Sequence, residues 1–243
     1  MVAIVQRLRV FFALLWTFVA GVPLLVALLL LLPWRRGRVI VSTWYGWVQA
    51  WGALRCFGVQ VDVRGRDRLK APAIFIMNHS SPIDAFTALR VVPLGTVGVA
   101  KQQIVKIPAF GQLYWLSGHL LLERSDHRDA VARLKQTAAF MARNRFGCWL
   151  FPEGTMPHEP VLMPYKPGFV HMALATGLPV VPVVLHGARE LWPPRTLNMR
   201  PGRVVLEVLE PIDASAWSEE RAREHAAEVR DMVLAKLEAG PPA

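Results

Sequence analysis

The sequence predicts an α/β fold: a mostly parallel or mixed central sheet flanked by helices on both faces, preceded by an N-terminal membrane-anchoring helical pair. Three observations carry this. From residue 59 onward, short apolar runs rich in Val, Ile and Leu alternate with longer helical patterns, as in strands joined by crossover helices. Two uncharged stretches, 10–34 and 39–54, precede them. The length, 243 residues, accommodates one sizeable α/β domain plus a membrane element. The expected division is an anchor over 1–57 and the α/β domain over 58–243.

In the first stretch a run of leucines from Leu28 to Leu32 follows Pro23, which is expected to kink the helix. At about 1.5 Å per residue the stretch is long enough for a hydrocarbon core of roughly 30 Å. A signal peptide would be shorter and would end in small residues; Pro33, Trp34, Arg35 and Arg36 follow instead. The second stretch carries Trp44, Trp47 and Trp51, spaced to share one helix face, and tryptophan favours the bilayer interface. The readings are a spanning helix followed by an interfacial one, a hairpin dipping into one leaflet, or a buried helical pair of the domain. The basic balance places the rest of the chain on the cytoplasmic side of a cell inner membrane.

In the domain, 59–65 alternates apolar and polar residues and reads as an edge strand, and 67–72 as a turn. The apolar run 73–77 is a buried strand, followed by a helix over 85–89. Strands are expected at 96–100, 118–123, 147–151, 178–186 and 203–209. Helical patterns fill 101–118 (broken at Pro108), 126–144, 167–177 and 218–238.

Apolar residues make up 53% of the chain and the formal net charge is +10, which points to a membrane surface or a phosphorylated ligand. The basic residues are scattered and no nucleic-acid motif is present, so no nucleic-acid partner is expected. The two cysteines, Cys56 and Cys148, read as separate buried thiols. No cofactor is expected, and no metal: His79, His119 and His127 match no ligand spacing. His158, His171, His186 and His225 read as structural or surface residues.

The stretch Asn78–Asp84, NHSSPID, carries the candidate chemistry. It sits between a strand and a helix, where Ser81 suits the N-cap, Pro82 the first helical position and Asp84 the first turn. An imidazole at a strand end can take a proton from a hydroxyl near neutral pH, and a carboxylate beside it can fix its tautomer. The plainer alternative makes Asp84 a partner of the helix dipole and His79 a turn histidine. No G-x-S-x-G elbow is present, so a base acting on a substrate hydroxyl fits better than an enzyme nucleophile. Lys101, Arg124 and Glu153 with Gly154 also follow apolar strands, and such strand ends converge on one crevice in an open α/β sheet.

These motifs resemble those of the glycerolipid acyltransferase superfamily, in particular the 1-acylglycerol-3-phosphate acyltransferases. NHSSPID is similar to the family's first motif, Gly118–Arg124 (GHLLLER) to its second, Phe151–Thr155 (FPEGT) to its third and Leu178–Val184 (LPVVPVV) to its fourth. The resemblance covers roughly 59–187, with the motifs in order. It implies transfer of a fatty acyl group from acyl-CoA or acyl-carrier protein, as co-substrate, to a lysolipid in the membrane, most readily 1-acylglycerol-3-phosphate, giving phosphatidic acid. His79 would be the base and Asp84 its orienting partner, with backbone amides at the helix start holding the oxyanion. Asn78, Lys101, Arg124, Glu153, Gly154 and Thr155 would bind substrate, with Lys101 and Arg124 on the phosphate.

Two departures stand out. Met156 and Pro157 replace the Arg and Ser that usually follow the third motif, and Glu123 replaces the aspartate of the second. The first leaves room for another acceptor, such as a lyso-ornithine lipid. Hydrolysis by the same base (a thioesterase or lysophospholipase) and a non-catalytic lipid-binding protein are the rival classes.

Overall fold

A computed structural model describes residues 2–108, 110–122 and 127–242. The chain opens with α1 (Val2–Leu30) and α2 (Arg35–Phe57). β1 (Val59–Arg64), β2 (Ile74–Met77), α3 (Asp84–Val91) and β3 (Thr96–Lys101) follow. Then come α4 (Phe110–Leu116), β4 (Leu120–Leu122), α5 (His127–Asn144) and β5 (Gly147–Leu150). The remainder is α6 (Gly168–Thr176), β6 (Val180–His186), α7 (Ala188–Leu191), β7 (Gly202–Val208) and α8 (Ala222–Ala239).

The strands form one sheet in the order β1-β7-β6-β2-β5-β3-β4, parallel except between β6 and β7. The sheet is therefore mixed, and β1 lies at its edge as its alternating pattern predicts. Alternation along β2 shows how both faces are covered. Phe75 and Met77 pack into a core with α2 and α3 residues such as Phe57 and Val91. Ile74 and Ile76 pack into a second core with Met141 of α5, Phe169 of α6 and Val229 of α8.

This order sets where a site can form. From β2 the chain leaves through α3 over one face to β3. From β5 it leaves through α6 over the other face, and returns on the far side of β2 as β6. The two connections part at the carboxyl ends of β2 and β5, opening a crevice there.

α1 and α2 form an antiparallel hairpin. Arg9 bonds the Phe57 carbonyl, the Trp16 indole N–H donates to the Gln49 carbonyl at 3.2 Å, and Gly21 lies near Tyr45. Gly52 lets the helices close, since a Cβ there would meet the Trp16 ring at 2.1 Å. α1 runs on through Pro23 and is long and apolar enough to cross a membrane by length and composition, over Ile4–Leu30. Its outer face exposes Phe11, Phe18, Val22, Val26 and Leu30.

The inner side of the hairpin belongs to the core. Ala50, Ala53, Leu54 and Phe57 are buried with Phe75 and Met77. Arg35 bonds the Gly118 carbonyl at 2.9 Å and Arg38 bonds that of Leu116. Of the three tryptophans expected on one face, Trp44 and Trp51 are exposed. Trp47 instead turns to the domain, where its indole N–H donates to the Val92 carbonyl at 2.8 Å.

His119 joins α2 to the sheet. Its Nδ1 accepts the Gly98 amide at 3.2 Å, which leaves Nε2–H to donate to the Ser42 hydroxyl at 3.2 Å. Desolvation in its half-buried setting, reinforced by the nearby Arg35, pushes its pKa down to about 4. The unfolded chain then binds a proton that the folded chain refuses as pH falls from roughly 6.5, so stability is lost on acidification. About 3 kcal/mol of stability is expected to vanish between pH 7 and 4 from this group. Thermal melting against pH in detergent measures it: His119→Asn, whose carbonyl still accepts the Gly98 amide, should flatten the slope, and an unaltered slope would assign the loss elsewhere.

Candidate active site

β2 ends at Met77, and the next two residues turn out of the sheet. Asn78 secures the turn from one side. Its buried carboxamide donates to the Leu185 carbonyl at 3.1 Å and accepts the Leu185 amide at 2.8 Å, continuing the β2–β6 pairing through a side chain. Glu153, 3% exposed, secures it from the other. One carboxylate oxygen accepts the His79 amide at 2.7 Å and the other the Met163 amide at 3.0 Å. Burial raises the Glu153 pKa, and these two amides oppose the rise. Gly154 follows in the left-handed region at φ +67°, where a side chain would be strained, and its amide closes a turn onto the Phe151 carbonyl.

The His79 ring lies between these supports. Nδ1 is 2.9 Å from Asp84 Oδ2, and the ring stacks on Phe151 with centroids 4.2 Å apart and planes 19° from parallel. Asp84 is fully buried and the His79 side chain 18% exposed, so the carboxylate is sealed and the ring keeps one open edge. Oδ2 also accepts the amides of Ser80 at 2.6 Å and Ser81 at 2.8 Å. Burial raises the Asp84 pKa; the ring N–H and two amides pull it back by favouring the anion. With Nδ1–H facing the carboxylate, Nε2 carries the lone pair. Among the described residues no hydrogen bond reaches it.

Ser81 is not the N-cap of α3, which is Ile83 with no side-chain cap bond; its hydroxyl instead holds the preceding turn, accepting the Ile83 amide at 3.2 Å and donating to the Trp192 carbonyl at 2.7 Å. Asp84 lies in the first turn, as its first residue. The amides expected here for an oxyanion are all engaged. Those of Ser80 and Ser81 bind Asp84, that of Ile83 binds Ser81, that of Asp84 binds the Ser81 carbonyl, and Pro82 has none.

His79 and Glu153 line a cavity of about 500 Å³. Its other walls include His186 at the end of β6, Arg189 of α7 and Arg203 of β7. The remaining expected residues are spread along the same edge. Phe75, Trp149 and Gly98 are in register, and Lys101 lies three residues beyond Gly98. Lys101 is thus at the carboxyl edge but two strands from His79, roughly 10 Å across the sheet, and outside the cavity wall. Thr155 lines a second cavity, of about 590 Å³, on the other side of Glu153 with Lys166 and Arg230. Arg124 lies outside the described residues, as does Glu123.

Two residues of the His79 cavity had no signal in the sequence. His186 ends a valine-rich strand and Arg189 follows it, and only the strand order β6-β2 brings them beside His79. His225 is structural: it stacks on Trp217 and contacts Glu228 at 3.2 Å.

A family model described as Acyltransferase matches residues 60–186. The chain is 34% identical over 212 residues to a 1-acyl-sn-glycerol-3-phosphate acyltransferase of Limnanthes alba, covering 87% of this chain and 75% of the relative. It is 35% identical over 184 residues to the Escherichia coli protein of the same name, with 74% of each chain covered. The crystal structure of the 1-acyl-sn-glycerophosphate acyltransferase PlsC from Thermotoga maritima superposes with a TM-score of 0.77 at 24% identity, over 99% of this chain and 97% of that one, which shows the shared fold. With the family model spanning both His79 and Glu153, and relatives this similar over most of its length, the chain belongs to the acyltransferase family and is an O-acyltransferase.

Proposed function

We propose that the chain transfers a fatty acyl group from a thioester to the free hydroxyl of 1-acylglycerol-3-phosphate, giving phosphatidic acid. The observation that carries this is the His79–Asp84 pair: Nδ1 held at 2.9 Å by a buried carboxylate, with Nε2 left open on a cavity. Nε2 accepts the hydroxyl proton as the oxygen attacks the thioester carbon. Asp84 stabilises the imidazolium that forms. Collapse of the tetrahedral intermediate breaks the C–S bond, and the imidazolium returns its proton to the leaving thiolate. Asn78, Phe151, Glu153 and Gly154 position the base. The names of the relatives support the acceptor. The donor is acyl-CoA or acyl-carrier protein.

An acceptor with an acyl tail requires the enzyme to work at the lipid surface. The exposed apolar face of α1 supports membrane attachment through residues 1–57, with the basic catalytic part on the cytoplasmic side of the cell inner membrane. Met156 favours a second reading, in which the acceptor is an amino-acid lysolipid such as a lyso-ornithine lipid.

Labelled acyl-CoA and acyl-carrier protein, offered with lysophosphatidic acid, with a lyso-ornithine lipid and with no acceptor, separate the readings. Label is expected in phosphatidic acid and only when the acceptor is present. Free fatty acid released irrespective of acceptor would make the chain a hydrolase, and transfer to the lyso-ornithine lipid alone would overturn the acceptor. His79→Ala should lower turnover by about 10²- to 10⁴-fold with the fold intact by circular dichroism, since that is what a general base contributes. Glu153→Gln leaves one backbone amide without its acceptor. It should cost about 1–3 kcal/mol in denaturant stability and lower kcat more than it raises the acceptor KM.

A further inference from the structure

The cavity beside His79 carries positive charge on its β6–β7 wall, away from Lys101. Arg203 on that wall is exposed and paired with Asp62 at 2.6 Å. Arg189 is half-buried and held in place. Its Nη1 donates to the Pro157 carbonyl at 3.2 Å and its Nη2 to the His158 carbonyl. A guanidinium has five N–H donors, so three remain for another acceptor. The carboxylates on the same cavity leave it its charge: Glu153 is committed to two backbone amides, and Glu190 is exposed at the rim.

The loop that Arg189 grips begins directly after Met156. Met156 stands where the motif that this stretch resembles usually carries an arginine. A guanidinium therefore reaches the same loop here, but from α7. We propose that Arg189 is the residue that binds the anionic headgroup of the acceptor, a phosphomonoester, on the β6 side of His79. A planar fork fixed by two carbonyls meets two phosphate oxygens with little loss of side-chain freedom. Anchoring the phosphate at α7 leaves the glycerol hydroxyl to reach Nε2 across the cavity, with the acyl tail directed out toward lipid. This assignment rests on lysophosphatidic acid being the acceptor, and it moves the phosphate away from the Lys101 side.

Steady-state kinetics of Arg189→Ala, Arg189→Lys, Lys101→Ala and the double variant Met156→Arg/Arg189→Ala test it, with thermal melting as the check on folding. Arg189→Ala should raise the KM for lysophosphatidic acid by about 10- to 100-fold and shift the donor KM by less than about twofold. Arg189→Lys should recover part of the loss, as a point charge does, and the double variant should recover more by returning a guanidinium to the loop. Equal changes in acceptor and donor KM would show that Arg189 only braces residues 157–158, and would overturn the proposal. A rise with Lys101→Ala but not Arg189→Ala would also overturn it. Should the parent enzyme ignore lysophosphatidic acid and acylate a phosphate-free lysolipid, the acceptor reading itself fails, and that result is visible before any variant is made.

Discussion

One oxygen atom organises the site. Asp84 Oδ2 accepts from the His79 ring and from the amides of Ser80 and Ser81, so three donors within six residues converge on it. The carboxylate is buried, and a buried anion is tolerable only when donors surround it. The chain must therefore wrap round Oδ2 as it leaves β2, and this wrapping lifts His79 out of the strand. The same atom thus shapes the turn and selects the ring nitrogen that faces the cavity. Each amide left without Oδ2 would cost about 1–3 kcal/mol in this buried setting. The turn is also held from both flanking strands: Asn78 ties it to β6, while Phe151 and Glu153 tie it to the end of β5. The base is placed by three neighbouring strands acting together, which is more rigid than a loop alone.

The hairpin has two different faces. One side of α2 completes the core over Phe75 and Met77, while α1 presents an apolar face outward. Small residues make this possible. Gly46 accepts the Leu89 side chain and Gly52 the Trp16 ring, each closer than a Cβ would permit. Because the hairpin and the sheet share one core, any lipid contact made by α1 is coupled mechanically to the strand that carries His79.

The strands were legible because the buried ones are continuous apolar runs with sharp polar ends, and the helices because their polar faces are periodic. Alternation marked β1 as an edge. The His79–Asp84 pairing was readable because both residues flank one turn, so a local rule sufficed. What the sequence hid was non-local. The tryptophan spacing in α2 is helical, but α3 and the segment at Val92 lie against that helix, and Trp47 follows its indole N–H to a carbonyl. The helix-start amides looked available for an oxyanion because nothing local shows that Asp84 turns back on them. The motif resemblance put Asn78, Glu153 and Thr155 together on the substrate, yet the first two grip the backbone and the third faces another cavity. Arg189 gave no local sign: its nearness to His79 exists only because β6 lies beside β2, although seven helices and strands separate the two in the chain.

The central claim is that Asp84 holds His79 in the tautomer with the proton on Nδ1. Nitrogen-15 NMR of the imidazole in detergent-solubilised protein at neutral pH reads this directly, with Asp84→Asn as the reference. A protonated Nδ1 and a bare Nε2 in the parent protein, giving way to a mixture in the variant, is the predicted result. A ring carrying its proton on Nε2, unchanged when the carboxylate is removed, would contradict the account.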